Sequence, residues 1–99
     1  MTMPEDCTTM AEVRAGVDEV DRQLAALLGE RFAFMDAAAR IKTARETVRD
    51  EPRKAQVLGN ARENARVSGV PKDVAVKLWD ELVEASIAYE LSVFDAKRG

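Results

Sequence analysis

The sequence contains no histidine and only one cysteine, Cys7, among its 99 residues. The missing histidines exclude a histidine general base, a histidine-activated nucleophile and a histidine proton shuttle. They also exclude the usual Cys/His zinc sites, and a single cysteine cannot form a disulfide within the chain. A lone cysteine without a signal-peptide pattern is typical of a reducing compartment, so we expect a cytoplasmic protein.

Basic residues and long apolar runs are also scarce. The 15 Lys and Arg residues are outnumbered by 18 Asp and Glu residues, which gives a net charge of −3. An acidic chain suits the phosphate backbone poorly, so we expect no nucleic-acid binding. No apolar run approaches the roughly 20 residues of a membrane span, so we expect no membrane contact. The 46% hydrophobic and 33% charged composition is typical of one folded domain over residues 1–99.

Few prolines and glycines interrupt the chain, and some of them fall where helices would begin or end. Thr9 and Glu12 form a capping box at the start of a first helix. Pro52 fits the first turn of a second helix, and Gly69 fits its left-handed end. No strand alternation is present, so the predicted fold class is all-α, with one long helix and two shorter ones. The predicted segments are a leader at 1–8, helices at 9–47, 52–67 and 71–96, and a frayed end at 97–99.

The first helix is too long for a compact monomer. About 38 residues span about 57 Å, whereas a compact domain of this size has a radius of gyration of about 13 Å. Its apolar residues follow a 4-3 spacing and form one stripe: Val13, Val17, Val20, Leu24 and Leu27. A second chain covering this stripe gives an intertwined homodimer, which we predict. A bend at Gly29, folding the helix into a monomeric hairpin, is the alternative.

Charged side chains interrupt two apolar stripes. Arg31 and Lys42 continue the stripe of the first helix about 16 Å apart along its axis, so their long side chains can close on a small anion. Arg14 lies too far along the helix to serve that pocket in one chain, but it can serve the partner's in an antiparallel dimer. Ser86 and Glu90 interrupt the third helix, where an apolar surround favours a neutral carboxylic acid. The alternative is a buried or rim ion-pair network, or seam residues that fix helix register.

Six segments carry a resemblance to a known family. They are Pro4 to Thr8, Arg14 with Asp18 and Asp21, Leu27 to Arg31, Ala38 to Lys42, Val48 to Asp50 with Arg53, and Ser86 with Glu90. In this order and at these spacings they resemble the all-helical (type II) chorismate mutases over nearly the whole chain, especially the branch that includes isochorismate-pyruvate lyase of salicylate biosynthesis. The resemblance implies an intertwined dimer of three-helix chains with two active sites, each completed by a partner arginine.

The resemblance also implies roles for individual residues. Arg14 of one chain and Arg31 of the other would bind the two carboxylates of the substrate. Lys42 would bind a carboxylate and the ether oxygen, and Glu90 would donate a hydrogen bond to that same oxygen. The remaining lining residues would be Asp50, whose backbone meets the ring hydroxyl, Arg53 and Ser86.

The implied reaction is the pericyclic rearrangement of chorismate to prephenate in the route to Phe and Tyr, without nucleophile, metal or cofactor. It is accelerated by holding a reactive conformer and by cations at the oxygen that gains negative charge. Two residues depart from the family pattern. Glu90 stands where many members have Gln, and Lys54 stands where many mutases have an acidic residue that receives the ring hydroxyl.

Two alternatives therefore stay open. The departure at Lys54 keeps isochorismate, or a 4-amino analogue, possible as substrate. The enzyme alternative is isochorismate-pyruvate lyase, which gives salicylate and pyruvate. The non-enzymatic alternative is a helical dimerisation module, which would bind no dianion.

Overall fold

Three α-helices make up most of the chain in the computed structural model, which describes residues 2–98. They are α1 at Met10–Ile41, α2 at Glu51–Ser68 and α3 at Lys72–Arg98. These residues contain no β-strand, which confirms the all-α prediction. No helix within 2–98 combines the length and apolar character needed to cross a membrane. Met1 of the predicted leader and Gly99 of the predicted frayed end lie outside the described residues.

Helix α1 begins at the predicted capping box. The Glu12 amide donates to Thr9 Oγ1 at 3.2 Å. Glu12 Oε1 accepts from the Thr8 amide at 3.2 Å and from the Thr8 and Thr9 hydroxyls at 3.0 and 3.1 Å. These hydrogen bonds, led by that from the Thr8 amide, hold the pKa of Glu12 below its usual range. The predicted signal at this end is confirmed.

Helix α1 ends at Ile41, whereas the sequence predicted one helix as far as residue 47. Arg45–Thr47 instead form a separate 3-10 turn preceded by extended backbone at Ala44, with φ −129° and ψ 131°. The Thr47 hydroxyl donates to Ala44 O at 2.6 Å, and the Thr47 amide donates to the same oxygen at 3.2 Å. A threonine that bonds locally in this way competes with helix continuation, which explains the earlier end.

Helix α2 has clear signals at both ends. Asp50 Oδ1 accepts from the Arg53 amide at 3.0 Å, and Pro52 lies in the first turn, where a missing N–H costs nothing. Gly69 ends the helix with φ 78°, a left-handed conformation that glycine adopts without steric cost. The third helix then runs to Arg98, two residues beyond its predicted limit of 96, so the described part of the expected frayed end is helical.

The chain divides into two compact units, Met1–Phe34 and Met35–Gly99. The first unit holds the leader and the N-terminal part of α1, and none of its residues from 2 to 34 is buried. The second unit holds the C-terminal part of α1 together with α2 and α3. Its hydrophobic core packs Ala39 of α1 and Phe94 of α3 against Val48, which follows the 3-10 turn between α1 and α2. The single-domain organisation over residues 1–99 stays a prediction.

Candidate active site

Glu90 is a buried carboxyl group on α3. It is 4% exposed, as is Ser86 one helical turn earlier. The Ser86 hydroxyl donates to Leu82 O at 2.7 Å, so a carbonyl of its own helix accepts this bond. A buried carboxylate is costly unless a cation or a hydrogen-bond donor faces it, so the partner of Glu90 defines the site.

Lys42 supplies the cation that faces Glu90. Its Nζ lies 2.8 Å from Glu90 Oε2, and the two side chains are 29% and 5% exposed. The contact is an ion pair without hydrogen-bond geometry, since Oε2 accepts no hydrogen bond from any group within residues 2–98. The ammonium carries three donors and is partly open to solvent. The pair therefore has capacity left for an anionic ligand that approaches from the side of Lys42.

Two hydrogen bonds hold the backbone of Lys42, and a third holds the nearby carbonyl of Ala39. The Lys42 amide donates to Ala38 O at 2.9 Å and so extends the bonding of α1 by one residue. From α3, Arg98 Nη2 donates to Lys42 O at 2.5 Å and Arg98 Nη1 donates to Ala39 O at 3.2 Å. Sequence reasoning missed Arg98. The sequence did contain a signal for it. Arg98 follows Phe94 by four residues and Glu90 by eight, so all three lie on one face of the helix.

Asp50 and Arg53 lie at the start of α2 and bond within that helix. The Asp50 side chain serves as the helix cap, which leaves its backbone as the group that the family resemblance assigns to the ring hydroxyl. Arg53 Nη1 donates to Gln56 Oε1 at 2.6 Å. Both residues are exposed. The bond to Gln56 uses one of the five N–H donors of the guanidinium, so donors remain for a substrate.

Lys54, the departure from the family pattern, joins α2 to α3. Its Nζ lies 2.8 Å from Asp80 Oδ1 and donates to Glu84 Oε2 at 2.7 Å. Arg49 donates to both oxygens of Glu84, at 2.6 and 3.1 Å. The bonds from Arg49 and then Lys54 lower the pKa of Glu84 to about 2, and the carboxylates of Asp80 and Glu84 raise the pKa of Lys54. The Lys54 ammonium is thus bound to two carboxylates of α3.

Arg14 and Arg31 belong to the first unit, where both lie on α1. Arg14 is exposed and Arg31 is half-buried. The second unit holds the other five predicted residues: Lys42, Asp50, Arg53, Ser86 and Glu90. Of these five, Lys42 and Glu90 are in direct contact through their side chains. Within residues 2–98, no group of three or more Cys, Asp or Glu is arranged to hold a metal ion.

Comparison with known proteins identifies the family. A family model described as chorismate mutase type II matches residues 13–91, a span that includes every predicted site residue from Arg14 to Glu90. The chain is also similar to isochorismate pyruvate lyase of Pseudomonas aeruginosa. The two are 27% identical over 99 residues, which cover 100% of this chain and 98% of that enzyme. The family match extends over well more than half of the sequence, and the chain belongs to the type II chorismate mutase family.

Proposed function

We propose that this protein is a chorismate mutase that converts chorismate to prephenate in a pocket built around Lys42 and Glu90. The isomerase activity follows from the family that matches residues 13–91. The single observation that carries the proposal for this chain is the Lys42–Glu90 contact of 2.8 Å. It brings a cation and a group able to hydrogen-bond to one point, where both can meet the ether oxygen.

The reaction requires that the protein hold the substrate in position and place charged groups near it. The rearrangement breaks the ether C–O bond and forms a C–C bond within one molecule, and the ether oxygen gains negative charge in the transition state. Two groups 2.8 Å apart can both reach one oxygen atom. Lys42 then stabilises the developing charge, while a protonated Glu90 donates a hydrogen bond to the same atom.

Arginines complete the pocket in this proposal. Arg31 and the Arg14 of a second chain bind the two carboxylates, because a guanidinium binds a carboxylate through two parallel hydrogen bonds. Arg53 and Ser86 line the pocket. Holding both carboxylates fixes the reactive conformer, which removes much of the entropic part of the barrier.

The proposal requires a homodimer, and the first unit supports it. Val17, Val20, Leu24 and Leu27 on one stripe of α1 are 47–60% exposed. An apolar-lined groove of about 400 Å³ runs beside this stripe, near Cys7, and none of the predicted site residues lines it. Apolar surface of this kind is normally covered in a stable protein. Light scattering on the purified chain should give twice the 10.9 kDa chain mass, and a monomer would overturn this part.

Isochorismate-pyruvate lyase is the second candidate. The similarity to the Pseudomonas aeruginosa enzyme of that name favours it. The ion pairs of Lys54 favour it too, since many mutases carry at this position the acidic residue that receives the ring hydroxyl. A cytoplasmic location, expected from the single Cys7, is compatible with either candidate activity.

One assay separates the candidates. The purified protein is given chorismate, followed by its loss of absorbance, and in parallel isochorismate, followed by salicylate fluorescence. We expect chorismate loss with prephenate as product, abolished in Lys42→Ala and retained in Lys77→Ala, an exposed cation on α3. Salicylate alone would make the protein a lyase. No turnover of either substrate by a folded dimer would leave the helical dimerisation module.

A further inference from the structure

Helix α3 contacts both the side chain and the backbone carbonyl of Lys42. Glu90 and Arg98 lie two helical turns apart on one face of α3, with Phe94 between them. Glu90 meets the ammonium of Lys42, whereas Arg98 donates to the carbonyl of the same residue at 2.5 Å. The side chain and the backbone of Lys42 are therefore both set by α3.

The Arg98 side chain is held by an aromatic ring and by two backbone carbonyls. Its guanidinium carbon lies 3.9 Å from the centre of the Phe94 ring, in cation–π contact. Phe94 is itself buried against Ala39 and Val48. The planar fork then reaches two carbonyls, Ala39 O and Lys42 O, with separate nitrogen atoms. Carbonyls at the end of a helix have no partner within it, and a cation is favourable there.

A second link fastens the chain just after Lys42. Arg45 donates from Nε to Asp95 Oδ1 at 2.9 Å and from Nη2 to Asp95 Oδ2 at 3.2 Å. This bidentate hydrogen bonding lowers the pKa of Asp95. Asp95 and Arg98 are neighbours on the last turns of α3. The segment between Ile41 and Arg45, which lies outside the helix, is thus tied to α3 on either side.

We propose that Arg98 is a positioning residue for Lys42 and thereby for the rearrangement. This inference rests on the proposed function. Arg98 touches neither the substrate nor the reacting atoms. It sets the backbone of Lys42 so that the ammonium lies against Glu90 and, with substrate bound, against the ether oxygen. Loss of Arg98 therefore weakens transition-state stabilisation more than substrate binding, because two arginines hold the carboxylates beside Lys42.

The kinetic test compares two variants of Arg98 with a matched destabilised control. For Arg98→Ala we expect kcat with chorismate to fall on the order of tenfold, with KM changed less than about twofold. Arg98→Lys should give an intermediate kcat, because an ammonium caps one carbonyl but lacks the fork that reaches two. The control Ala65→Gly weakens the buried interior of α2 and should lower the melting temperature with kcat retained.

Hydrogen exchange supplies a readout that does not depend on turnover. The amides of Lys42, Thr47 and Val48 are hydrogen-bonded in and after the last turn of α1. In Arg98→Ala they should exchange faster than in Ala65→Gly. If the wild-type protein leaves chorismate unchanged, the proposed function fails, and exchange alone decides whether Arg98 holds this segment.

Two results would overturn the inference. One is a kcat for Arg98→Ala equal to that of the wild type, or a kcat for Ala65→Gly that falls as far as that of Arg98→Ala. The other is unchanged exchange of the Lys42, Thr47 and Val48 amides. If Arg98→Ala does not fold, the same two criteria are applied to Arg98→Lys.

Discussion

The ammonium of Lys42 and the carboxyl group of Glu90 meet 2.8 Å apart at the junction of α1 and α3. Glu90 is 4% exposed, whereas the side chain of Lys42 is 29% exposed. A ligand that enters this site therefore reaches the ammonium first and finds the carboxyl group behind it. An oxygen that accepts hydrogen bonds from both groups must lie against the ammonium and the carboxyl group at once.

Changing Glu90 to glutamine should remove the pH dependence of turnover. Glu90 donates a hydrogen bond only when protonated, whereas a glutamine amide donates at every pH. We expect kcat/KM of the wild type with chorismate to fall as pH rises, and that of Glu90→Gln to stay level over the same range. Glu81→Gln, an exposed change on α3, should keep the wild-type profile. A wild-type profile in Glu90→Gln would refute the role.

Mixing two inactive variants should restore activity if Arg14 acts in the partner's site. Arg14→Ala and Lys42→Ala are each expected to lose at least a hundredfold in kcat/KM. After unfolding and refolding together at equal concentration, half of the dimers are mixed, and each mixed dimer contains one intact site. The mixture should therefore show about a quarter of wild-type activity. No recovery would mean that Arg14 and Lys42 serve the same site from one chain.

Acid should loosen the contact between α2 and α3 through Glu84. Bonds from Arg49 and Lys54 lower the pKa of Glu84 from 4.5 to about 2. A pKa that is lower in the folded state adds stability above the unfolded value, and this stability is lost as pH falls from 4.5 towards 2. The melting temperature of the wild type should drop more over this window than that of Glu84→Gln. Parallel melting curves for the two proteins would contradict the assignment.

The surroundings of Glu84 give this prediction a control. The Glu84 side chain is 41% exposed, so added salt should reduce the difference between wild type and Glu84→Gln. Glu81→Gln on the same helix removes an exposed carboxylate without breaking this network. Its melting temperature should follow that of the wild type at every pH in the window.

Two glycines, one inside α2 and one at its end, should respond to alanine in opposite directions. Gly69 ends α2 with φ 78°, so Gly69→Ala should cost about 1 kcal/mol of unfolding free energy. Gly59 lies inside α2, and a Cβ added there meets no atom within 4 Å among the described residues. Gly59→Ala should stabilise the protein by about 0.5–1 kcal/mol. Urea unfolding measures both, and a stabilising Gly69→Ala would contradict the helix end described here.

Helix ends with local signals were predictable, and the end of α1 was not. Thr9, Pro52 and Gly69 each act on residues within one turn, so the neighbouring sequence predicts their effect. The residues after Ile41 contain neither Gly nor Pro up to Thr47 and include good helix formers. The helix stops there because Thr47 bonds to a nearby carbonyl and because Arg98 binds the last carbonyls from α3. The second cause is a tertiary contact without a local pattern.

The site was predictable where a residue conflicted with its surroundings. Lys42 and Glu90 stood out as charges on apolar stripes, and the family resemblance that includes them is confirmed by the match to residues 13–91. Arg98 did not stand out, because its partners are backbone carbonyls, which every residue has. Lys54 was noticed as a departure from the family, but its carboxylate partners lie far along the chain on α3.

The cluster formed by Lys54, Asp80 and Glu84 makes an acidic residue at position 54 unfavourable in this chain. An acidic residue at position 54, as many mutases have, would bring three carboxylates together where one ammonium now joins two. The residue type favoured at position 54 therefore depends on the charges at positions 80 and 84. An acidic residue at position 54 should be better tolerated when a carboxylate at position 80 or 84 is also replaced, so relatives of this chain should show correlated substitutions at positions 54, 80 and 84.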